Sequence, residues 1–551
     1  MFYKGIILDL DNTIYDYEFS HITSIQTIFQ YLLDNYKIPV NESCEKYDEC
    51  NKKIKFELKN TASSHNKSIY FKHIIEHFFK NDYSLLPILN ELYWNTFYKN
   101  MKCFEGVIEF ILWNKNNGIK IGILTDYETE YQIIKLQKLG ILDFVDVIVT
   151  SEEVGIEKPS IQMFQTILNK MNLHSSEVIM IGDNYEKDIY GANNANIFSY
   201  YFHKTNNNFL FLLEKFKEIY NELRKFSELS RFCGERFDLV QAGGGNISCK
   251  VKDWMFIKAS GYHLTNVTNS SGYSIINNAK LLQDIQNDDI KSVTDYNIIN
   301  KIRPSIETFM HSILKKYTIH LHPIQVNRIL ISDKAEEVVR ELFPTIECLL
   351  IYYLTPGIKV CNEIKSKYKD EKIIFLKNHG IIITSDNSEE IYTLLEKVIN
   401  TFEKYQNLNF EKYKFTNILS SYVNDIFGVN NISYLCENAS INNYLYSKSE
   451  LFNERVTCPD ILIYCGIEIA KINQLEDLLE YKQKYNESPK IIIFDNHIYI
   501  NGINVNKCRD IEDVLLSNLI ILDSNYDKDY LPNEEICYLN NWDAEKYRKI
   551  I

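Results

Sequence analysis

Residues 4–12 read KGIILDLDN, a short apolar run that leads into two aspartates, Asp9 and Asp11. Two further apolar runs, at 119–125 (IKIGILT) and 177–182 (EVIMIG), also end at polar residues, and helical stretches separate the three. Short buried strands that alternate with helices are typical of a parallel α/β sheet. In such a sheet the ligand binds beyond the carboxyl ends of the strands. The sequence therefore predicts a ligand site at the edge where Asp9 lies.

The composition predicts a folded protein with more than one core. The chain has 551 residues, of which 45% are hydrophobic and 24% charged, and this length corresponds to two or three domains. A net charge of −14 without a Lys/Arg-rich block argues against nucleic acid as a partner. We expect no signal peptide and no membrane span, since no run of about 18 apolar residues occurs. Twelve scattered cysteines without a CxxC pair favour free thiols and a cytoplasmic location.

The sequence pattern changes at two points along the chain. The stretch between about 18 and 100 has an amphipathic pattern without strands, which indicates a helical insertion over the first site. A charged helix near 207–230 precedes glycine-rich turns and paired histidines, and another change falls near residue 430. The sequence predicts three parts: residues 1–225 with a helical cap at about 16–100, residues 226–430, and a small α/β part at 431–551.

Asp9 and Asp11 lie two residues apart after a strand, so their side chains point to the same side of an extended backbone. One aspartate of such a pair can attack phosphorus and form a phosphoenzyme, while the other acts as general acid and then as general base. A hard, oxygen-liganded cation such as Mg²⁺ is needed to hold the phosphate against these carboxylates. The DxD pattern alone is equally typical of a strand that turns into an acidic loop.

Three later motifs accompany this pair, namely Thr125 in ILTD, Lys158 in GIEKPS, and Asp183 with Asp188 in GDNYEKD. Together the four resemble the motifs of the haloacid dehalogenase superfamily, over about residues 1 to 203. The resemblance implies a phosphatase for small phosphomonoesters whose cap excludes water. It assigns the nucleophile to Asp9, the acid/base to Asp11, phosphate binding to Thr125 and Lys158, Mg²⁺ binding to Asp9, Asp11 and Asp183, and a supporting role to Asp188.

The central part contains two glycine-rich turns and three histidines. From residue 241 the chain reads QAGGGNISCKVKDWMFIKASGYHL, and such turns expose backbone N–H groups that can cradle a phosphate. His320 and His322 alternate on one face of a strand in TIHLHP, and His379 lies in the strand-like segment FLKNHGIII. Three imidazoles with an open fourth position favour a catalytic Zn²⁺.

This set resembles the class II aldolase/adducin family, over roughly residues 229 to 405. The resemblance places Asn246, Ser248, Ser260 and Gly261 in phosphate-binding turns, Glu307 as acid/base, and His320, His322 and His379 as zinc ligands. His311 follows Glu307 by four residues on the same helical face, and we expect it to support packing.

The two resemblances together imply an α/β protein, with a Rossmann-like haloacid dehalogenase domain and helical cap, then a class II aldolase-like α/β domain with a small C-terminal α/β extension. They imply a bifunctional enzyme of phosphorylated sugars, with Zn²⁺-dependent aldol cleavage or condensation of a ketose phosphate beside the phosphatase. An epimerase, decarboxylase, dehydratase or non-catalytic adducin-like module stays open for the zinc domain. Family members form C4 tetramers with sites between subunits, so a homo-oligomer, a tetramer by analogy, is expected. In the extension, PDILIYCG at 459–466 is interpreted as a buried strand.

Overall fold

The computed structural model describes residues 3–80, 82–203, 208–298, 302–343 and 348–541. The chain forms two compact units, the first of residues 1–221 with 298–301 and the second of residues 222–297 with 302–551. The change from one unit to the other falls within a single helix of the chain, Phe209–Gly234.

The first unit is built on a five-stranded parallel sheet in the order β3-β2-β1-β4-β5. Apolar side chains make up nearly all of β1 and β4, and both strands are buried along their length, as expected for a sheet covered by helices on both faces. The strands are β1 (Gly5–Leu8), β2 (Lys120–Thr125), β3 (Val147–Thr150), β4 (Val178–Gly182) and β5 (Phe198–Tyr201).

Four helices between β1 and β2 form the cap, α1 (Tyr17–Tyr36), α2 (Val40–Glu57), α3 (Lys67–Phe78) and α4 (Leu85–Asn100). The first begins at Asp16, whose carboxylate accepts the backbone N–H of Phe19, and the third begins at Asn66, whose side chain accepts two N–H groups. The remaining helices of this part are α5 (Val107–Asn116), α6 (Thr129–Lys138), α7 (Ser151–Val154), α8 (Ile161–Met171), α9 (Gly191–Asn194) and α10 (Phe209–Gly234).

The second unit contains a seven-stranded sheet in the order β10-β11-β12-β9-β6-β7-β8, in which β10 and β11 pair in parallel and the other neighbouring strands pair antiparallel. Its strands are β6 (Asn246–Val251), β7 (Trp254–Lys258), β8 (Tyr273–Asn277), β9 (Tyr317–Leu321), β10 (Cys348–Ile351), β11 (Ile373–Leu376) and β12 (Gly380–Ser385). Its helices are α11 (Asn278–Gln286), α12 (Thr308–Ser312), α13 (Ile324–Leu330), α14 (Ala335–Leu342), α15 (Ile358–Lys367) and α16 (Ser388–Gln406).

A four-stranded sheet in the order β13-β16-β15-β14 ends the second unit. Its strands are β13 (Ile432–Leu435), β14 (Ala470–Ile472), β15 (Ile491–Phe494) and β16 (His497–Gly502). Helix α17 (Glu411–Phe427) shares a core with this sheet, so the core of the extension begins before residue 430. The later helices are α18 (Ala439–Ser447), α19 (Pro459–Cys465), α20 (Asp477–Tyr485), α21 (Val505–Leu522) and α22 (Asn533–Asn541).

The strand interpretation of PDILIYCG is wrong, because residues 459–465 form helix α19. Pro459 occupies the first turn, where its missing N–H and fixed φ favour a helix start. The thiol of Cys465 is buried in this helix, and burial raises its pKa to about 12.

The mixed α/β architecture predicted from the sequence is confirmed. Within the described ranges, no helix combines the length and the apolar character needed to cross a membrane. All twelve cysteines lie in the described ranges, where the structure shows no disulfide bond.

Candidate active sites

The first site lies at the carboxyl ends of three neighbouring strands. Asp9 follows β1, Thr125 ends β2, and Asp183 follows β4. Because the strands are parallel and adjacent, these ends meet at one edge of the sheet. The backbone N–H of Asp9 donates to the Ile181 carbonyl at 3.0 Å, which fixes the start of the loop that carries both aspartates.

Lys158 forms ion pairs with two aspartates at this edge of the sheet. Its Nζ donates to Asp9 Oδ1 at 2.6 Å, to Asp188 Oδ1 at 2.7 Å and to the Leu124 carbonyl at 3.0 Å. Burial by itself lowers the pKa of Lys158, but the carboxylates of Asp188 and Asp9 outweigh it and raise the pKa well above its usual value. A Cβ on Gly182 would lie 2.4 Å from the Asp188 carboxylate, so only glycine lets Asp188 pack against the strand end.

Three carboxylates converge beside this single ammonium group. Oxygens of Asp9, Asp183 and Asp188 all lie within 4.8 Å of one another. Burial raises the pKa of Asp9 well above its usual value despite the attraction of Lys158, and burial with the charge of Asp188 raises the pKa of Asp183 to about 6. The surplus of buried negative charge and the all-oxygen donor set fit a hard divalent cation such as Mg²⁺.

The side chain of Asp11 does not join that group. Its carboxylate accepts Lys135 Nζ at 2.8 and 3.0 Å and Gln132 Nε2 at 3.3 Å, and it also accepts the Tyr15 hydroxyl. Burial raises the pKa of Asp11, but Lys135 and these hydrogen bonds outweigh it and hold the pKa below its usual value. Gln132 also donates to Thr125 Oγ1 at 2.5 Å. The structure thus brings Thr125 and Asp11 together through one amide.

Three residues of this site were missed in the sequence. Thr13 is fully buried; its hydroxyl donates to Asp9 Oδ2 at 2.9 Å and accepts the N–H of Asp183 at 3.1 Å. Gln132 and Lys135 hold Asp11. The sequence could have indicated these two residues, because their spacing of three places both on one face of the helix that follows Thr125.

Above these groups lies a cavity of about 480 Å³, and the cap forms its other wall. The cap side chains that line it are Tyr17, His21, Asn51, Lys55, His65, Lys67 and Trp94. A volume of this size is in the range of sites that bind small molecules.

The second site is built around three histidines at one end of the seven-stranded sheet. His320 lies in β9, His322 follows that strand, and His379 lies in the turn between β11 and β12 rather than in a strand. The Nε2 atoms of His320 and His322 are 3.0 Å apart, and those of His320 and His379 are 3.3 Å apart. The structure therefore brings all three imidazoles together.

The donor set fits a zinc ion. His320 Nδ1 donates to the Ile381 carbonyl at 3.0 Å, which orients the ring with Nε2 toward the other two imidazoles. Burial and the charge of His320 lower the pKa of His322 to about 3 and that of His379 to about 4, which keeps both rings in the neutral form that binds metal. Three imidazole nitrogens that converge in this way form a donor set suited to Zn²⁺.

Glu307 lies against this cluster, at the start of α12. Its Oε1 is 3.2 Å from His320 Nε2 and 3.7 Å from His379 Nε2, and its Oε2 accepts the Asn246 amide at 3.3 Å. Burial raises the pKa of Glu307, but His320 outweighs it and holds the pKa far below the usual range. A Cβ on Gly380 would lie 2.2 Å from the Leu321 carbonyl and 2.9 Å from His322, so this turn requires glycine.

The two glycine-rich turns of the second unit are tied together by Lys258. Its buried Nζ donates to the Tyr262 carbonyl at 2.7 Å and to the Gly243 carbonyl at 3.2 Å, a link that the sequence did not reveal. Ser260 and Gly261 are exposed in the turn that follows β7.

Ser248, expected in a phosphate-binding turn, has a different placement. It is fully buried in β6, and its hydroxyl pairs with His311 Nδ1 at 2.8 Å. His311 is also fully buried, at the position where packing was expected.

Comparison with known proteins assigns a family to each part. Residues 6–202 match the model of haloacid dehalogenase-like hydrolases, and residues 224–405 match that of the class II aldolase and adducin N-terminal domain. A ribulose-1,5-bisphosphate 5-phosphatase of Halopiger xanaduensis is 31% identical over 191 residues, which cover 34% of this chain and 80% of that protein.

Two further similarities concern one part of the chain each. A glyceraldehyde 3-phosphate phosphatase of Methanothermobacter thermautotrophicus is 27% identical over 193 residues, which cover 35% of this chain and 82% of that protein. The solved N-terminal class II aldolase domain of a conserved protein from Thermoplasma acidophilum is 23% identical to this chain, with a TM-score of 0.31. The match covers 33% of this chain and 92% of that domain's chain.

The ribulose-1,5-bisphosphate 5-phosphatase is matched over 80% of its length. The chain therefore belongs to the haloacid dehalogenase-like hydrolases through residues 6–202, and carries a class II aldolase and adducin N-terminal domain in residues 224–405.

Proposed function

We propose that the first unit hydrolyses phosphomonoesters of small sugars and that the second unit cleaves or forms a carbon–carbon bond in a phosphorylated ketose. The observation that carries the phosphatase proposal is the contact of Asp9 with Lys158 under a capped cavity of about 480 Å³. Two relatives of this unit are named as phosphatases of ribulose 1,5-bisphosphate and of glyceraldehyde 3-phosphate, which supports a sugar phosphate as substrate.

In the proposed phosphatase reaction, a carboxylate oxygen of Asp9 attacks phosphorus as the bond to the leaving sugar oxygen breaks. Asp11 gives a proton to that oxygen. It then takes a proton from water, which attacks the aspartyl-phosphate and frees Asp9. Lys158 and Thr125 hold the phosphate oxygens, while Thr13 orients Asp9.

Asp11 is held ionised by Lys135 when the cavity contains no substrate. A bound phosphate brings negative charge close to Asp11, which raises its pKa and lets it carry the proton for the leaving group. The side chains of Asp9 and Asp183 would hold Mg²⁺, and Asp188 would act as a supporting carboxylate. The chain segment at Asp11 would lie beside the ion. When bound, Mg²⁺ would supply charge neutralisation between the carboxylates and the incoming phosphate.

In the second unit, His320, His322 and His379 would hold Zn²⁺. When bound, Zn²⁺ would supply a Lewis acid for the oxygens of the ketose. Glu307 moves the proton between substrate oxygen and carbon, because its carboxylate faces the same histidines. Asn246, Ser260 and Gly261 bind the substrate phosphate, whereas Ser248 supports the site through His311. An epimerase, decarboxylase or dehydratase uses the same groups, and the assay below tests the aldol reaction against them as a group.

The two activities can act in sequence, since dephosphorylation of an aldol product would draw a reversible condensation forward. We further propose a cytoplasmic homo-oligomer, with a tetramer as the expected form. Light scattering coupled to size exclusion distinguishes it from a 65.0 kDa monomer.

The test is a phosphate-release screen of the full chain with Mg²⁺ over a panel of sugar phosphates and nucleotides. The same panel is run with the Asp9→Asn variant. A second arm adds dihydroxyacetone phosphate and aldehydes to the wild type and to the His320→Ala variant, with product identification by mass spectrometry.

We expect phosphate release to require Asp9, and we expect formation of the new sugar, as its phosphate or as the dephosphorylated product, to require His320. Release that persists in Asp9→Asn contradicts the phosphatase proposal. If His320→Ala changes no product under any pairing, the aldol assignment is wrong. If the new sugar phosphate accumulates in the variant set that retains Asp9, the first unit does not hydrolyse it, and the two activities do not act in sequence.

A further inference from the structure

The cavity of the first unit has two walls with different charge. The wall at the strand ends carries acids and lysines in contact with each other, whereas the described residues that line the cap wall include lysines and no acids. This distinction follows from the hydrogen bonds and ion pairs of each cavity lysine.

On the strand-end wall every lysine has a carboxylate partner. Lys158 pairs with Asp9 and Asp188 at 2.6 and 2.7 Å, and Lys135 pairs with Asp11 at 2.8 Å. Lys187 pairs with Asp126 at 2.7 Å and with Glu157 at 3.0 Å. On this wall the lysine charges are used to balance acids of the protein itself.

On the cap wall, Lys55 of α2 and Lys67 of α3 line the same cavity. Among the residues that the structure describes, neither ammonium group has a carboxylate within 4.0 Å or a hydrogen-bond acceptor. His65, the third basic residue of this wall, is paired with Glu157 at 2.9 Å. His21 adds no charge, because burial and the nearby lysines lower its pKa to about 2.

Lys67 is the more informative of the two lysines, because it is only 6% exposed. Its ammonium lies 4.9 Å from the centre of the Tyr70 ring, a contact that offsets part of the loss of water but supplies no counter-charge. Burial, with the repulsion of Lys55 and Lys135, lowers the pKa of Lys67 to about 7. A buried lysine without an anion destabilises the fold, so its place at a cavity wall needs a reason outside the fold itself.

We propose that Lys67, assisted by Lys55, binds a second anionic group of the substrate, so that the preferred substrates are phosphomonoesters that carry a further phosphate or carboxylate. The inference rests on the proposed phosphatase function, which places the reacting phosphate at Asp9 on the opposite wall. The substrate then spans the cavity, with its second anion as the missing partner of Lys67. Binding of that anion raises the pKa of Lys67 and stabilises its charged form.

The same chemistry is offered by two kinds of second anion, and two matched substrate pairs distinguish them. Ribulose 5-phosphate and ribulose 1,5-bisphosphate differ by a phosphate, whereas glycerol 3-phosphate and 3-phosphoglycerate differ by a carboxylate. For each pair the measured quantity is the ratio of kcat/KM for the doubly anionic member to kcat/KM for the singly anionic member. Phosphate release is followed with Mg²⁺ and the full chain.

We expect the wild type to favour the doubly anionic member of at least one pair, and the pair that shows the preference identifies the second anion. In Lys67→Met the ratio should fall at least tenfold, because methionine keeps the apolar stem and removes the charge. Lys67→Arg should keep most of the ratio. Lys55→Met, at an exposed position that the fold does not need, should lower the ratio about threefold and serves if Lys67→Met does not fold.

Lys53→Met is the matched control. Lys53 lies on the same helix as Lys55, two residues earlier and so roughly 200° around the axis, and is exposed away from the cavity. Its ratio should equal that of the wild type. The inference is overturned if the wild type prefers the singly anionic member of both pairs, or if the ratio survives in both Lys67→Met and Lys55→Met. Phosphate release that persists in Asp9→Asn instead overturns the phosphatase proposal.

Discussion

Replacement of Lys67 by methionine should stabilise the substrate-free first unit although it impairs substrate choice. The ordinary lysine pKa is 10.5 and that of Lys67 is about 7, mainly because of burial. At about 1.4 kcal/mol per pKa unit, the buried charge lowers the free energy of unfolding by roughly 4–5 kcal/mol at pH values below 7. Methionine removes this term and keeps the packing of the aliphatic stem.

The sign of the pH dependence follows from the same difference. Between pH 7 and 10.5 the unfolded chain binds more protons at Lys67 than the folded unit does, so the stability of the wild type rises with pH in this window. The groups that face Lys67 are Lys55, Lys135 and Asp11, of which only Asp11 favours the charged form. The advantage of Lys67→Met should therefore shrink by about 2 kcal/mol between about pH 6.5 and about pH 8.5.

Hydrogen exchange with mass spectrometry measures this effect in the intact chain. Peptides from β1 and β2 report unfolding of the first unit, and exchange rates are corrected for the intrinsic effect of pH. Lys53→Met, which changes an exposed charge, should match the wild type at both pH values. The reasoning is refuted if Lys67→Met protects β1 and β2 less than the wild type does, or if its advantage is the same at both pH values.

Three further outcomes are expected. Asp9→Asn should lower phosphate release by at least ~10³-fold with zinc content unchanged, checked by phosphate assay and elemental analysis. Lys158→Met leaves buried carboxylates without a counter-charge and should lower the stability of the first unit by roughly 3–5 kcal/mol in chelator, with partial recovery in Mg²⁺, as measured by hydrogen exchange. Gly380→Ala places a Cβ 2.2 Å from the Leu321 carbonyl and should lower the zinc content severalfold. Gly243→Ala, whose Cβ meets nothing within 4 Å, should leave the zinc content unchanged. An equal loss of zinc in both variants contradicts this account.

The strand-end positions of the first site were predictable because they follow from local sequence. Apolar runs fix β1, β2 and β4, and the residue after each run must lie at the same edge of a parallel sheet. Asp9, Thr125 and Asp183 were found in this way. The HxH pattern likewise predicted that His320 and His322 share one face.

The partners of those residues were not predictable in the same way. Thr13, Gln132 and Lys135 acquire their roles from loop and helix packing, which places side chains over 100 residues apart in contact, as between Lys135 and Asp11. Ser248 illustrates the opposite case: its motif suggests an exposed turn, but the pleat of β6 turns its hydroxyl inward to His311. Sequence periodicity gives the face of a strand, whereas tertiary packing decides what that face meets.

Helix α19 was misjudged for a related reason. The run ILIYC is short and apolar, and periodicity does not separate a buried strand from a buried helix of this length. Pro459 at the start of the run was the informative residue, because proline favours the first turn of a helix and interrupts the hydrogen bonds of a central strand.

The charge arrangement of the cavity gives a physical reason why cap and strand-end wall should act on one substrate. Asp9, Asp183 and Asp188 carry more negative charge than Lys158 balances, and this wall favours a cation. Lys67 and Lys55 on the other wall favour an anion. A Mg²⁺ ion at the strand-end wall and a doubly anionic phosphomonoester between the walls together balance the negative charge of one wall and the positive charge of the other. Neither ligand alone balances both. Substrate binding and metal binding should therefore strengthen each other, and substrate binding should weaken when Lys67 loses its charge.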